Sequence, residues 1–335
     1  MTNRLQRLLL GLLLAGFLAT GILSLLFIDF LTTPLESSRR VVIEKKWYLS
    51  RIAQFLEAEQ VIPSARWFVL LAHFHRRNIR LHAGEYRFEQ GETPPRILIR
   101  LEQGDVVRYR FSFPEGLTAR DVATRMEEQG WNEASALVRD VAWVKKLAPD
   151  VPTLEGWLFP ETYFFVRGES AQEMLVRMTR MARATLEREW ANRDPGIELT
   201  TPLQALILAS IIEKETGAAS ERSRISGVFH NRLRRNMRLE SDPTVIYGAA
   251  DYQGDITRKH LTTPTPYNTY TRSGLPPTPI CNPGRASIHA ALHPERTDEL
   301  FFVARGDGSH VFASTFQEHK ENVNRYQKRK ANVRP

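Results

Sequence analysis

LQALILASIIEKETG, residues Leu203–Gly217, reads as a buried helix that ends by presenting a carboxylate. At about 100° per residue, Leu203, Ile207, Ile211 and Glu215 form one i, i+4 ridge, so three apolar rungs are followed by an acid. An acid in an apolar setting favours its neutral form, because desolvation penalises the charge. A carboxyl raised in this way suits a general acid working near neutral pH. Glu213 lies about 200° around the same helix and cannot share that face. The plainer alternative makes both glutamates solvated last-turn residues before a Gly217 cap.

Two segments follow, ERSRISGVFHNRLRRNMRLESDPTVIYG (Glu221–Gly248) and TPTPYNTYTRSGLPPTPICNPG (Thr263–Gly284). ASIIEKET, SGVFHNRL, SDPTVIYG, PYNTY, SGLPP and NPG, in that order, resemble the endolytic murein transglycosylase family, membrane-anchored enzymes that cut peptidoglycan glycan strands internally. FFVARGDGSHVFASTFQEH (Phe301–His319) extends the resemblance across most of the C-terminal half. It implies that the second glutamate of ASIIEKE, Glu215, is catalytic, the residue that the ridge also selects. It further implies substrate contacts from Asp242, Thr244 and Tyr247, and from the bunched loop residues Asn268, Thr269 and Tyr270. Asp242 has a second reading as a helix cap or Asx turn, and Tyr247 as a packing residue. The chain departs from the family pattern at Glu240, where glutamine is common, at His230, often aromatic or apolar, and at Thr278, a frequent glycine.

The chain has 335 residues, 42% of them hydrophobic, enough for one to three cored domains. A net charge of +8 favours anionic partners: nucleic acid, lipid headgroups or the carboxylate-bearing peptides of a cell wall. Cys281 is the only cysteine, so no intramolecular disulfide forms. Leu8–Ile28 carries no charge over 21 residues, long enough to cross a hydrocarbon core of about 30 Å. Arg4 and Arg7 before it and Asp29 after it predict a cytoplasmic N-terminus, with everything beyond the span outside the cytoplasm. No A-x-A-like site follows the run, which argues against a cleaved signal peptide.

The expected fold is α+β: residues 1–7 cytoplasmic, 8–28 a transmembrane helix, 29–40 a tether, 41–105 one module and 106–335 a catalytic region. Within the last, 106–153 is a linking β–α part and 154–335 the core. In the module, VVIEKKW reads as a strand, SRIAQFLEAEQV and SARWFVLLAHFHRR as helices, and HAGEYRFEQGETPPRILIRLEQGD as strand, turn and helix. The strand–helix–helix–strand order resembles a LysM-like module, which implies either a site for N-acetylglucosamine-containing glycan or a spacer. His73 and His75 read as solvated. Ser64 and Thr118 precede helices as N-caps, and Ser170–Arg193 reads as a long helix. The aromatic run EGWLFPETYFFVRG, from Glu155, is read equally as core or as a stacking wall for sugar rings.

Glycosidases that hydrolyse their substrate usually need two carboxylates. The resemblance implies instead one glutamic acid that protonates the leaving oxygen and then takes the proton of the muramyl C6 hydroxyl, leaving a 1,6-anhydromuramyl end. It implies no cofactor, peptidoglycan strands as substrate, residence in the plasma (inner) membrane, and partners among the wall-synthesis machinery such as peptidoglycan synthases. His289 and His293 have the spacing of a helical metal pair, but no acid of an HExxH motif lies between them and Pro294 ends the helix, so no metal is expected. Cys281 reads as a bystander thiol, His310 as a hairpin or site residue. The final helix, Thr315–Asn332, has a basic face of Lys320, Arg325, Lys328, Arg329 and Lys330. The rival from another class is a non-catalytic, membrane-anchored glycan-binding scaffold. Nucleic-acid binding is disfavoured by the anchor and the lack of a nucleic-acid motif.

Overall fold

The computed structural model describes residues 2–76, 79–149 and 151–328. The chain divides into two compact units, Met1–Arg110 with Phe164–Glu169, and Phe111–Tyr163 with Ser170–Pro335. The break between units thus falls after Arg110 rather than at 105/106, and a short return segment joins the first unit.

The first unit opens with α1 (Thr2–Thr32), of which Leu9–Thr32 is long and apolar enough to cross a membrane, with a mean hydropathy of 2.4. The order is then β1 (Arg39–Ile43), α2 (Leu49–Ala58), α3 (Ala65–His75), β2 (Gly84–Phe88) and α4 (Pro94–Gln103). β1 and β2 pair antiparallel with Val41 opposite Tyr86, and the helices bury Ile52, Leu56, Phe68, Ile97 and Leu101 against Tyr86 and Phe88. α4 begins on the Pro94–Pro95 pair, where missing N–H groups cost nothing, and stops at Gly104, whose φ of 65° is left-handed. Phe30 and Leu35, at the end of α1 and just after it, are buried in this same core. His73 and His75 are exposed, and His75 bonds Glu102 at 3.0 Å.

β3 (Arg108–Ser112) pairs with the later β4 (Thr162–Val166), and the division between units falls inside both strands. Between them lie α5 (Ala119–Glu128), α6 (Ala134–Arg139) and α7 (Val141–Leu147). The second unit continues with α8 (Ala171–Ala191), α9 (Pro202–Glu215), α10 (Arg222–Arg234), α11 (Asp242–Gly248), α12 (Arg258–Thr262) and α13 (Arg285–Leu292). It closes with the hairpin β5 (Phe301–Ala304) and β6 (His310–Ala313), then α14 (Phe316–Val323). Thr118 with Asp121, and Ser170 with Glu173, form reciprocal caps at the starts of α5 and α8. A π-helical stretch, Asn324–Lys328, continues α14; the rest of the expected run to Asn332, with Arg329 and Lys330, lies outside the described residues, as does the side chain of Lys328.

The core of the second unit is built around α9. Every residue from Ala205 to Ile212 is buried, so the helix is apolar on all sides and packs against α8, α10, α11 and α13. Fully burying side chains such as Leu208 and Ile211 contributes about 1.5–3 kcal/mol each, as an upper figure. Three aromatics of the 155–168 run belong to the core: Trp157, Phe159 and Tyr163 are buried, Arg183 lies over Trp157, and the Tyr163 hydroxyl donates to Phe159 O, whereas Phe164 is exposed.

Candidate active site

The site grows from the two ends of α9. At its start, Thr201 Oγ1 accepts from Gln204 N and Pro202 occupies the first turn. At its finish, Thr216 is extended, so the helix stops on Glu215 itself and Gly217 does not cap it. Glu215 therefore sits at the negative end of the helix dipole, which disfavours a carboxylate. The residue is half-buried: enough protein surrounds the carboxyl to desolvate it, yet part of the side chain stays open to solvent. Burial pushes its pKa up to about 7, helped by the charge of Asp242; a hydrogen bond from Ser241 and the Arg232 guanidinium pull the other way. Ser241 Oγ donates to Glu215 Oε1.

Glu213 takes a different part. Its Oε2 accepts from Gly284 N at 2.9 Å, and Arg222 lies 3.7 Å from Oε1, so it anchors the Asn282–Pro283–Gly284 turn rather than facing solvent. Asn282 completes that anchor: its Oδ1 accepts from Leu158 N and its Nδ2 donates to Leu117 O, tying three separate stretches together.

A cavity of about 940 Å³ lies in the second unit, lined by Thr118, Glu155, Lys214, Pro243, Tyr247 and Tyr252 among others. Glu215 does not line it, but Lys214 and Pro243, its neighbours along the chain and across the Ser241 bond, do. Glu155, inside it, is 5% exposed, and burial pushes its pKa up to about 7 despite hydrogen bonds from Ala119 N (2.9 Å) and the Tyr247 hydroxyl (3.1 Å). The Tyr247 ring meets Tyr267 edge-on at 4.8 Å, and Tyr267 in turn shares a hydrogen bond with Thr278. A second cavity, of about 440 Å³, is lined by residues such as Asp194, His230 and Arg234 and includes none of these groups.

Residues 41–325 match the YceG-like family. The chain belongs to that family. It is 30% identical over 300 residues to the endolytic murein transglycosylase of Bacillus subtilis (strain 168), covering 83% of this chain and 82% of that one. With the endolytic murein transglycosylase of Streptococcus pneumoniae serotype 2 it shares 26% identity over 278 residues, 72% of this chain and half of that longer protein. The crystal structure of a YceG-like protein from Listeria monocytogenes matches with a TM-score of 0.54 and 30% identity, over 85% of this chain and 99% of that one.

In this YceG-like chain the residues expected at the site divide by burial. Asp242 opens α11, is exposed, and accepts from the Tyr270 hydroxyl at 2.7 Å; Tyr270 is half-buried and its phenol is pushed up, first by burial and then by that bond. These two stand beside Glu215. Thr244, Asn268 and Thr269, expected to touch substrate, are buried with their polar groups bonded inside the protein. Thr244 Oγ1 donates to Ser241 O and shares a 2.8 Å bond with Thr269 Oγ1, which also accepts from Ser241 N. Asn268 Nδ2 spans His260 O, Leu261 O and Thr263 O, and its Oδ1 accepts from Tyr270 N. Thr244 and Thr269 hold the 265–271 loop against α11 and so fix Ser241, while Asn268 ties that loop to residues 260–263. Glu240, with a left-handed φ of 50°, is paired with the buried Arg232 at 3.2 Å.

Two site residues escaped the sequence reading. Ser241 was legible only as part of SDPT, and Glu155 only as an acid flanked by the apolar WLF run. His289 and His293 acquire an acid that the sequence could not show: Glu189 of α8, with the three ligand atoms within 4.8 Å of one another. The Arg285 guanidinium and the His289 ring already bond Glu189, and Asp194 bonds His293, so these groups already have hydrogen-bond partners within the protein. His310 pairs with Glu221 at 2.7 Å, which fixes the β5–β6 hairpin to the start of α10.

Proposed function

We propose that this protein is an endolytic peptidoglycan lytic transglycosylase that cleaves the β-1,4 bond between N-acetylmuramic acid and N-acetylglucosamine within nascent glycan strands. The observation that carries this reading is a half-buried carboxyl, raised to about 7, closing the central helix of a YceG-like chain. At neutral pH a large share of Glu215 is protonated. Its proton passes to the glycosidic oxygen as the C1–O bond breaks. The muramyl C6 oxygen then bonds to C1, and the C6 hydroxyl proton returns to the Glu215 carboxylate. No water is consumed, and an attacking group within the same sugar makes a second carboxylate dispensable. Ser241 orients the carboxyl by donating to Glu215 Oε1, a bond that favours the anion formed once the proton has left. Asp242, held by Tyr270, presents a negative charge where positive charge develops on the ring. The cavity lined by Glu155 and the tyrosines takes the neighbouring sugars, with aromatic faces packing on ring C–H bonds.

In this reading α1 anchors the protein in the plasma membrane with its N-terminus cytoplasmic, residues 41–105 form a LysM-like module, and the region from 106 onward acts on the strand outside. Peptidoglycan synthases, which make those strands, are the expected partners. The test is a digest of purified peptidoglycan by the full-length protein, read by mass spectrometry. Internal fragments ending in 1,6-anhydromuramic acid support the reading. Reducing ends would mean hydrolysis, with Asp242 activating water; fragments released only from strand ends would overturn the endolytic part.

A further inference from the structure

We infer that α3 lies on the membrane surface, with its second apolar face, Trp67, Leu70, Leu71 and Phe74, seated in lipid at the boundary between hydrocarbon and headgroups. This rests on the reading that α1 spans the bilayer. The sequence of α3, ARWFVLLAHFH, carries more apolar surface than the fold uses. One stripe, Ala65, Phe68 and Ala72, is buried in the core of the first unit. Trp67, Leu70, Leu71 and Phe74 fall at i, i+3, i+4 and i+7 and make a second stripe on another side of the helix. Phe74 is 74% exposed and Leu70 36%, so none of the described residues covers the outer part of the stripe.

What lies beside that stripe identifies its cover. Phe27 of α1 meets the Trp67 ring at 5.4 Å and the Phe74 ring at 6.2 Å, and stacks on the buried Phe30. Phe27 is two residues before Asp29, the first charge after the apolar run. At about 1.5 Å per residue that places it about 3 Å along the helix from the charge. A core of about 30 Å that begins at Leu8, past Arg7, ends about twenty residues on, at Phe27 or Ile28. A bilayer that holds α1 therefore has its outer hydrocarbon boundary at Phe27, and the rings packed on Phe27 share that depth. Tryptophan suits this level, its ring apolar and its N–H in reach of water or headgroups. Arg66 and His73, both exposed on the flank of the stripe, are long or basic enough to meet lipid phosphates. A helix apolar on the bilayer side and basic on the flank is the pattern of an interfacial helix. The seat fixes the first unit at headgroup level rather than leaving it to swing on a tether.

The experiment places a nitroxide label on the full-length protein in nanodiscs of phosphatidylethanolamine with a minority of phosphatidylglycerol, with no other protein present. Phe74→Cys and Leu70→Cys are the test positions, Leu18→Cys the position inside the span, and Glu57→Cys a water-exposed reference on α2. Cys281 is fully buried and burial pushes its thiol up, so the unsubstituted protein serves as the unlabelled control. Collisions are read with oxygen, which enters lipid, and with a nickel complex that stays in water. The expected result is loss of nickel collisions at Phe74 and Leu70 relative to Glu57, with oxygen collisions retained. If both test labels behave like Glu57 while Leu18 reads as lipid, the span stands and the seat is refuted; a protein partner would then be the cover. If Leu18 itself reads as aqueous, the span is wrong and the seat falls with it.

Discussion

Removing the Ser241 hydroxyl and removing the Asp242 charge should move the alkaline limb of the pH–activity profile in opposite directions. In the proposed mechanism Glu215 must be protonated in the free enzyme, so kcat/KM is expected to fall as pH rises through its pKa of about 7. Ser241 Oγ donates to Glu215 Oε1 and so stabilises the anion. A hydrogen bond to a charged acceptor contributes about 1.5–3 kcal/mol, and one pH unit corresponds to about 1.4 kcal/mol. Ser241→Ala should therefore raise the limb by about one pH unit, the lower end of that range, since Glu215 is half-buried and water can replace part of the lost bond. Asp242 acts the other way, its negative charge raising Glu215. Asp242 is exposed, and a screened charge interaction of about 0.2–1 kcal/mol amounts to a few tenths of a pH unit, so Asp242→Asn should lower the limb by roughly that much. Raising the salt concentration should shrink the Asp242 effect and leave the Ser241 effect in place. The assay is release of soluble fragments from peptidoglycan by the full-length enzyme across the neutral and alkaline range. Shifts of the same sign, or no shift from Ser241→Ala, would refute the assignment of that limb to Glu215.

Glu155 offers a stability test. Its folded-state pKa is raised from 4.5 to about 7, so the folded protein holds a proton that the unfolded chain releases, and stability falls as pH rises between those values. Glu155→Gln should remove that dependence and leave the variant more stable than wild type at pH 8 by up to about 3 kcal/mol, read by denaturant unfolding at two pH values. Gly227 of α10 tests packing: a Cβ there would come within 2.4 Å of the Glu295 carbonyl oxygen, a backbone atom that cannot swing away. Gly227→Ala should cost about 1–3 kcal/mol or more, seen as a lowered Tm. Asn268→Ala removes the side-chain bonds to His260 O, Leu261 O, Thr263 O and Tyr270 N from a residue 1% exposed, so a loss of about 2–4 kcal/mol is expected, seen as a lowered Tm.

What could be read from the sequence was whatever periodicity and caps encode. The apolar ridge Leu203–Ile207–Ile211 identified both the buried helix and the acid at its end, because burial and helical phase are local properties. Thr118 was legible as a cap for the same reason, whereas Ser64, read the same way, stands at the N-cap of α3 without a side-chain cap bond. The roles of the surrounding polar residues were not, since they depend on partners far along the chain. Glu213, on a last turn that looks solvated, is bonded to Gly284, 71 positions away. Glu155 reads as one more acid until Ala119 and Tyr247 are seen to enclose it. Thr244, Asn268 and Thr269 sit in motifs that look like binding loops, yet their donors and acceptors are consumed inside the protein, those of Thr244 and Thr269 in positioning Ser241. Trp157 and Phe159 were equally consistent with wall or core, and only tertiary packing decides for core. The second stripe of α3 was present in the sequence as Trp67, Leu70, Leu71 and Phe74, but the contact with Phe27 gives it meaning.

The most direct test of the account is the comparison of wild type with Glu215→Gln, each full-length, on the same peptidoglycan. Glutamine keeps the size of the side chain and an oxygen that can accept from Ser241, but has no proton to give the leaving sugar. We expect unchanged folding and glycan binding, with fragments ending in 1,6-anhydromuramic acid lost by several orders of magnitude. Undiminished release of those fragments by Glu215→Gln would contradict the account, because the proton would then have to come from another group.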